Sequence, residues 1–247
     1  MAGLGPATHI SLSKKKRSFR KSNKTWMAVT STAMTIKPKR LRMANLTLYH
    51  IAPSRSSVVL WMLEEIGEPY DIHLLSMKRG TNREPAYLAV NPMGKVPALR
   101  HGDVVITEGA AICTYLADAF PKAGLNVPLD HPKRGVYLQW LFFGPGVLEG
   151  AVMDRAFPRS GEAPRAALGY GDFDTAMDVV AKAVTPGPFL MGDKFTAADV
   201  VIGSNLRWGT MFKMIPERKE FSDYVARFAD RPAAKRAQAK DDELAKV

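Results

Sequence analysis

Three short segments place polar groups where a helix start or a turn would leave backbone atoms unpartnered. In Met93-Gly94-Lys95-Val96-Pro97 a Val-Pro step leads into a strand-like run, and only an X-Pro bond makes the cis peptide cheap. That isomer would leave the N–H and C=O of Val96 free to pair with an extended, peptide-like ligand, as an added strand does. An ordinary trans proline in an edge loop is the plainer alternative. In Thr107-Glu108-Gly109 a helix opens, so its unpaired N–H groups form an anion site, and Glu108 adds a carboxylate at the same end. A ligand bearing both a carboxylate and an ammonium would meet complementary halves there; otherwise Glu108 only favours the helix dipole. In Pro53-Ser54-Arg55-Ser56-Ser57 small hydroxyls near a helix start can cap it or donate to an anion. A helix N-terminus also lowers the pKa of a thiol placed against it.

The flanking pattern predicts the elements that carry these segments. Leu46 to His50 alternates as a short strand, and Ser54 can cap a helix over 55–66 that Gly67 stops. Tyr70 to Leu75 reads as a second strand, completing a βαβ unit. Ala98–Arg100 and Val104–Ile106 flank the turn His101-Gly102-Asp103, a hairpin signal, and a helix follows over 108–119. Beyond the Pro-containing connector no strand pattern recurs. Helices are expected over 133–154, kinked at Gly144-Pro145-Gly146, and over 172–184, 196–214 and 217–228, followed by a charged, frayed tail. The fold class is therefore α/β plus all-α. The expected division is a leader at 1–44, an α/β domain at 45–124, a linker at 125–132 and an all-helical domain at 133–247.

Charge separates the leader from the rest. Of 35 basic residues in the 247-residue chain, 11 lie in residues 1–44 with no acid, leaving 24 basic against 24 acidic residues beyond. The folded part is neutral overall, which removes the usual basis for a nucleic-acid partner. The leader is too polar to offset its chain entropy, and disorder is expected there. An extension from an upstream start is the preferred reading, because Met43-Ala44-Asn45 leads straight into the first strand-like run. A basic arm for nucleic acid or anionic lipid and an organelle transit peptide are alternatives; a secretory signal lacks its apolar core. No apolar run approaches the roughly 18 to 20 residues of a membrane span, so no membrane partner is expected. One cysteine, Cys113, and five dispersed histidines argue for a reducing, cytoplasmic compartment and against a metal site.

The order of first-helix start, proline turn and hairpin-to-helix start, followed by a helical half, resembles the soluble glutathione transferase family over roughly 45–235. Gly192-Asp193-Lys194-Phe195-Thr196-Ala197-Ala198-Asp199-Val200 supports it, with Thr196 and Asp199 spaced as a capping box about 100 residues beyond the proline turn. The resemblance implies a thioredoxin-like first domain, glutathione as co-substrate without a metal, a hydrophobic electrophile as second substrate, and a homodimer. It implies that Pro97 is the cis-proline, that Val96 is the backbone partner of the cysteinyl unit, and that Lys95 approaches the glycyl end. Glu108 would meet the γ-glutamyl group. Two positions depart from the family pattern: Gly109 stands where a serine is usual, and Val58 where arginine is common. One lost hydroxyl donor costs on the order of 1 kcal/mol.

The same resemblance makes Ser54 the residue that activates the thiol, in a bacterial-type member using serine rather than tyrosine or cysteine. Ser56 is second, and Arg55 is a nearby positive charge. Tyr49 lies within its strand, a little early for the family's tyrosine, and Cys113 reads as a core residue. A thiol near 8.5 brought down by about two units becomes mostly thiolate at neutral pH, worth roughly 2.7 kcal/mol. Tyr137, Trp140, Phe143 and Trp208 are candidates for the electrophile pocket, or for plain core. Glutathione-dependent isomerisation, dehalogenation or peroxide reduction, and non-catalytic ligand binding, are the alternative functions. The lack of a cysteine near Ser54 argues against disulfide exchange through an enzyme mixed disulfide.

Overall fold

A computed structural model of the protein describes residues 45–247 apart from 159 and 162. The basic leader, with the expectations attached to it, lies outside the described residues.

Strand β1 (Leu46–His50) is the central hinge of the sheet. It pairs in parallel with β2 (Tyr70–Leu74) and antiparallel with β3 (Ala98–His101), which pairs antiparallel with β4 (Val104–Thr107), giving the order β2-β1-β3-β4. Alternation sends Leu46 and Leu48 into the main core and Tyr49 into a smaller cluster with Leu75, Tyr87 and Ala98 on the other face. His50 shares the phase of Leu46 and Leu48 and is fully buried.

Helix α1 (Ser57–Ile66) follows β1 and ends at Gly67, whose left-handed φ of 74° lets its N–H close on the Leu63 carbonyl. Val59 to Leu63 are all buried, because α1 packs against α3 (Gly109–Ala119), α7 (Ala197–Met211) and α9 (Pro232–Leu244) as well as β1. A short α2 (Pro85–Leu88) occupies the polar stretch before the proline turn. This is a thioredoxin-like arrangement of mixed sheet and helices.

In the second half, α4 (Arg134–Phe143) and α5 (Glu149–Ala156) are joined by a π-helical turn over Gly144–Leu148, where the sequence predicts a kink. A side chain at Gly144 would stand 2.8 Å from Val201 Cγ1, so its absence lets this turn close on α7. Helices α6 (Phe173–Val184), α7 and α8 (Lys219–Ala229) complete the bundle. The Asp199 carboxylate at the start of α7 accepts from the Thr196 N–H at 2.8 Å, the return bond expected of the capping box, and also from Leu190 N–H and Tyr224 Oη.

The C-terminal segment corrects one expectation. Rather than fraying, it forms α9, opened by Pro232 and packed on α1 through Ala233, Ala234, Ala237 and Asp241. Alanines give so narrow an apolar stripe that charge dominates the local composition. Ion pairs fasten the two helices: Arg231 to Glu65, and Arg236 and Lys240 to the buried Glu64.

Candidate functional site

The three sequence segments meet around Gly109. A Cβ placed on Gly109 would lie 3.3 Å from Val58 Cγ1 and 3.8 Å from Pro97 Cγ. The start of α1, the proline turn and the start of α3 therefore share one corner of the α/β half.

The Val96–Pro97 peptide is cis, and so is Ala52–Pro53, which the sequence does not single out. Tyr87 Oη and Asn91 Nδ2 donate to the Lys95 carbonyl at 2.5 and 2.8 Å, anchoring the turn from below. Among the described residues, neither the N–H nor the C=O of the half-buried Val96 has a partner within the chain. The Lys95 side chain is exposed.

Glu108 precedes α3 with φ 68° and ψ 116°. A left-handed φ in a residue with a side chain costs of order 1–3 kcal/mol and persists only where the surroundings enforce it. Its exposed carboxylate forms no ion pair or hydrogen bond among the described residues, beside the unpaired N–H groups that open α3.

The serine segment is built differently from expectation. Helix α1 starts at Ser57, and Ser54 sits in the preceding turn with its carbonyl accepting from Ser57 N–H at 3.0 Å. It does not cap the helix with its side chain. Instead Ser54 Oγ accepts from the Ser56 N–H at 3.1 Å and lies 2.7 Å from Ser56 Oγ. Ser56 is fully buried; its Oγ lies 2.7 Å from His50 Nδ1 and accepts from the Ile51 N–H at 3.2 Å. His50 Nε2 lies 2.9 Å from Asp241 Oδ1, and Ser57 Oγ donates to Asp241 Oδ2 at 2.6 Å. His50 and Asp241 escape the sequence reading, and Ser57 enters it only as part of the serine segment. The one available signal is His50 itself, a polar group in phase with an inward strand face, which must find a partner when buried.

Arg55 points away from this chain of hydroxyls. Its guanidinium pairs with Glu149 on α5 and reaches Met153 Sδ at 3.5 Å, so the charge near Ser54 is already partnered. Tyr49 lies on the opposite sheet face, its ring 5.1 Å from that of His73 and 5.6 Å from that of Tyr87. Cys113 is completely buried, and burial pushes its thiol up to about 12.

A cleft between α1, α7 and α9 adjoins the serines, lined by Ser57, Val58, Trp61, Trp208, Phe212 and Asp241. Of the four aromatic candidates only Trp208 lines it, its ring centroid 5.0 Å from that of Phe212 and tilted by 38°. Tyr137 and Trp140 are core residues, and Phe143 packs on Trp140. A larger cleft of about 290 Å³ lies on the other face of the sheet, around Tyr49, His73, Tyr87 and Arg100, away from the serine segment. Among the described residues no group of three or more His, Cys, Asp or Glu could hold a metal, and no helix is long and apolar enough to cross a membrane.

Comparison with known proteins identifies the family. Residues 54–119 match the family model for the glutathione S-transferase N-terminal domain. The chain is 30% identical to glutathione S-transferase GstA of Escherichia coli O157:H7, over 69% of its own length and 86% of the relative's. It is 28% identical to the disulfide-bond oxidoreductase YghU of Escherichia coli K12, over 78% of this chain and 74% of that one. Among solved structures, a glutathione transferase family member from Pseudomonas fluorescens pf-5 with two glutathione bound superposes with a TM-score of 0.63. That structure is 28% identical and matches 78% of this chain and 91% of its own. The chain belongs to the glutathione S-transferase family.

Proposed function

We propose that the protein is a cytoplasmic glutathione transferase that ionises the glutathione thiol beside Ser54 and directs it at an electrophile held in the α1–α7–α9 cleft. The observation that carries this reading is the contact of Gly109 with both Val58 and Pro97, which brings the unpaired Val96 backbone, Glu108 and the serine segment to one corner. Glutathione lies extended along Val96, its cysteinyl N–H and C=O exchanging bonds with that residue as a strand would. The γ-glutamyl ammonium meets Glu108, the γ-glutamyl carboxylate meets the N–H groups of Gly109 and its neighbours, and Lys95 faces the glycyl carboxylate. Ser54 donates to the sulfur, stabilising thiolate over thiol, and Trp208, Phe212 and Val58 present an apolar wall to the second substrate.

The α/β half, 45–124, supplies the glutathione residues, and the helical half, 133–247, supplies most of the electrophile wall, with 125–132 as the linker. The folded part carries no nucleic-acid or membrane role in this reading, and the protein works as a homodimer. Isomerisation, dehalogenation or peroxide reduction would use the same thiolate. Disulfide exchange through an enzyme cysteine has no support here, since Cys113 is buried with its thiol held in the neutral form.

The experiment is glutathione binding followed by turnover of an activated aryl chloride in wild type and Ser54→Ala. A hydrogen bond to a charged group contributes about 1.5–3 kcal/mol, so Ser54→Ala is expected to lower kcat/KM by about tenfold to a hundredfold. Binding without turnover of any electrophile would favour a ligand-binding role instead.

A further inference from the structure

We propose that His50, held by Asp241 of the C-terminal helix, is the acceptor of the glutathione thiol proton, which reaches it through the hydroxyls of Ser54 and Ser56. This rests on the reading that the thiol lies against Ser54.

The contacts form one continuous chain. Ser54 Oγ and Ser56 Oγ are 2.7 Å apart, Ser56 Oγ and His50 Nδ1 2.7 Å, and His50 Nε2 and Asp241 Oδ1 2.9 Å. Ser54 is its most exposed member. Ser54 is half-buried, whereas Ser56 and His50 have no exposed surface and Asp241 is 6% exposed. Backbone amides fix both serine oxygens, the Ile51 N–H on Ser56 and the Ser56 N–H on Ser54. Among the described residues Asp241 is the charged side chain in hydrogen-bond contact with His50.

Counting protons decides what such a chain can do. A carboxylate only accepts, so Nε2 carries a proton toward Asp241 and a neutral His50 presents a bare Nδ1. The Ser56 hydroxyl then donates to Nδ1 at 2.7 Å in preference to the Ile51 carbonyl at 3.3 Å, and the Ser54 hydroxyl donates to Ser56. In that state Ser54 has no proton left for sulfur; it can only accept one from the thiol. When the S–H bond breaks, its proton passes to Ser54 Oγ. The Ser54 proton passes to Ser56 Oγ and the Ser56 proton to Nδ1. One S–H bond is lost and one N–H bond is gained, while each hydroxyl gives up one proton and receives another. Every hydrogen bond in the chain now points outward, so Ser54 donates to the thiolate it has just created. The imidazolium is balanced by the Asp241 carboxylate, and its proton leaves to solvent after the product departs. A serine alone can donate to a thiolate but offers no resting place for the proton; the histidine–carboxylate pair supplies one.

His50 and Asp241 act through other groups and are positioning residues, so the test must separate proton transfer from scaffolding. His50→Gln can still donate to Asp241 but cannot take up a proton. Ser56→Ala cuts the chain in the middle and leaves the His50–Asp241 pair intact. For each variant and wild type, three quantities are read at neutral pH: the ultraviolet thiolate band of bound glutathione, kcat and KM with an activated aryl chloride, and the affinity for S-methylglutathione, which has no thiol proton. The expected result is loss of the thiolate band and a fall in kcat of about a hundredfold, the lower end of the range for general-base contributions, with S-methylglutathione affinity unchanged. Asp241→Asn is expected to fall between wild type and His50→Gln.

A thiolate band and kcat that survive in either variant would overturn the relay. Parallel loss of S-methylglutathione affinity and turnover would also overturn it, by making the residues scaffolding. Wild type that fails to bind glutathione at all would remove the transferase reading beneath it, an outcome distinct from the other two. If His50→Gln does not fold, Ser56→Ala decides alone.

Discussion

Val58 and Gly109 face each other across the site, the valine Cγ1 standing 3.3 Å from where a side chain on Gly109 would begin. The two positions at which the resemblance implies a departure from the family pattern are thus one feature. A smaller residue on α3 makes room for a branched apolar residue on α1, and restoring the hydroxyl alone would press it into the valine.

The paired substitution is therefore the informative one. Val58→Ala with Gly109→Ser is expected to tighten glutathione binding by about fivefold, the equivalent of one hydroxyl hydrogen bond. Gly109→Ser alone should gain less, because contact with Val58 offsets the new bond. Titration calorimetry on the three variants checks the order.

Trp208 should govern the second substrate and leave the first alone. Trp208→Ala removes an aromatic wall of the cleft and is expected to raise KM for an aryl electrophile by about tenfold, a loss near 1.4 kcal/mol. The KM for glutathione should stay at its wild-type value. Steady-state kinetics with each substrate varied in turn separates the two effects.

The clamp between α1 and α9 should show in acid. Burial alone would raise the Glu64 carboxyl, but hydrogen bonds from Lys240, Tyr70 and Arg236 outweigh it and hold the group below its ordinary 4.5. A depressed carboxylate stabilises the fold fully above its unfolded value, and this contribution is lost as pH falls through the lower folded value. Wild type is expected to exceed Glu64→Gln by about 1–3 kcal/mol at neutral pH, with the gap closing progressively below pH of about 4.5. Urea unfolding across that range measures it.

Cys113 should be silent in the native protein. With its thiol completely buried and pushed up to about 12, it is expected to react with a thiol reagent at neutral pH only after unfolding. Rapid labelling of the native chain would reopen disulfide chemistry for this site.

Legibility from the sequence followed the range of the interactions. The strand of Leu46–His50, the hairpin around Gly102, the capping box at Thr196 and Asp199 and the π-helical turn at Gly144 all rest on local pattern, and each stands near its expected place. The cis peptide at Val96–Pro97 and the buried Cys113 also stand as expected, the first through the family resemblance, since local pattern left a trans proline open. The partner of His50 lies 191 residues away on a helix whose apolar stripe is alanine, so neither the helix nor the contact leaves a local trace. The burial of Ser56 is hidden for a related reason: three nearby hydroxyls look alike until packing buries Ser56 and leaves Ser54 and Ser57 half-buried. Aromatic periodicity left pocket wall and plain core as alternatives, and packing places Tyr137 and Trp140 in the core.

The most direct measurement is a crystal structure of the complex with glutathione. The expected result is an extended tripeptide paired with Val96, its γ-glutamyl group at Glu108 and its sulfur within hydrogen-bond reach of Ser54 Oγ. Glutathione bound elsewhere, or bound at this corner with its sulfur turned away from Ser54, would contradict it.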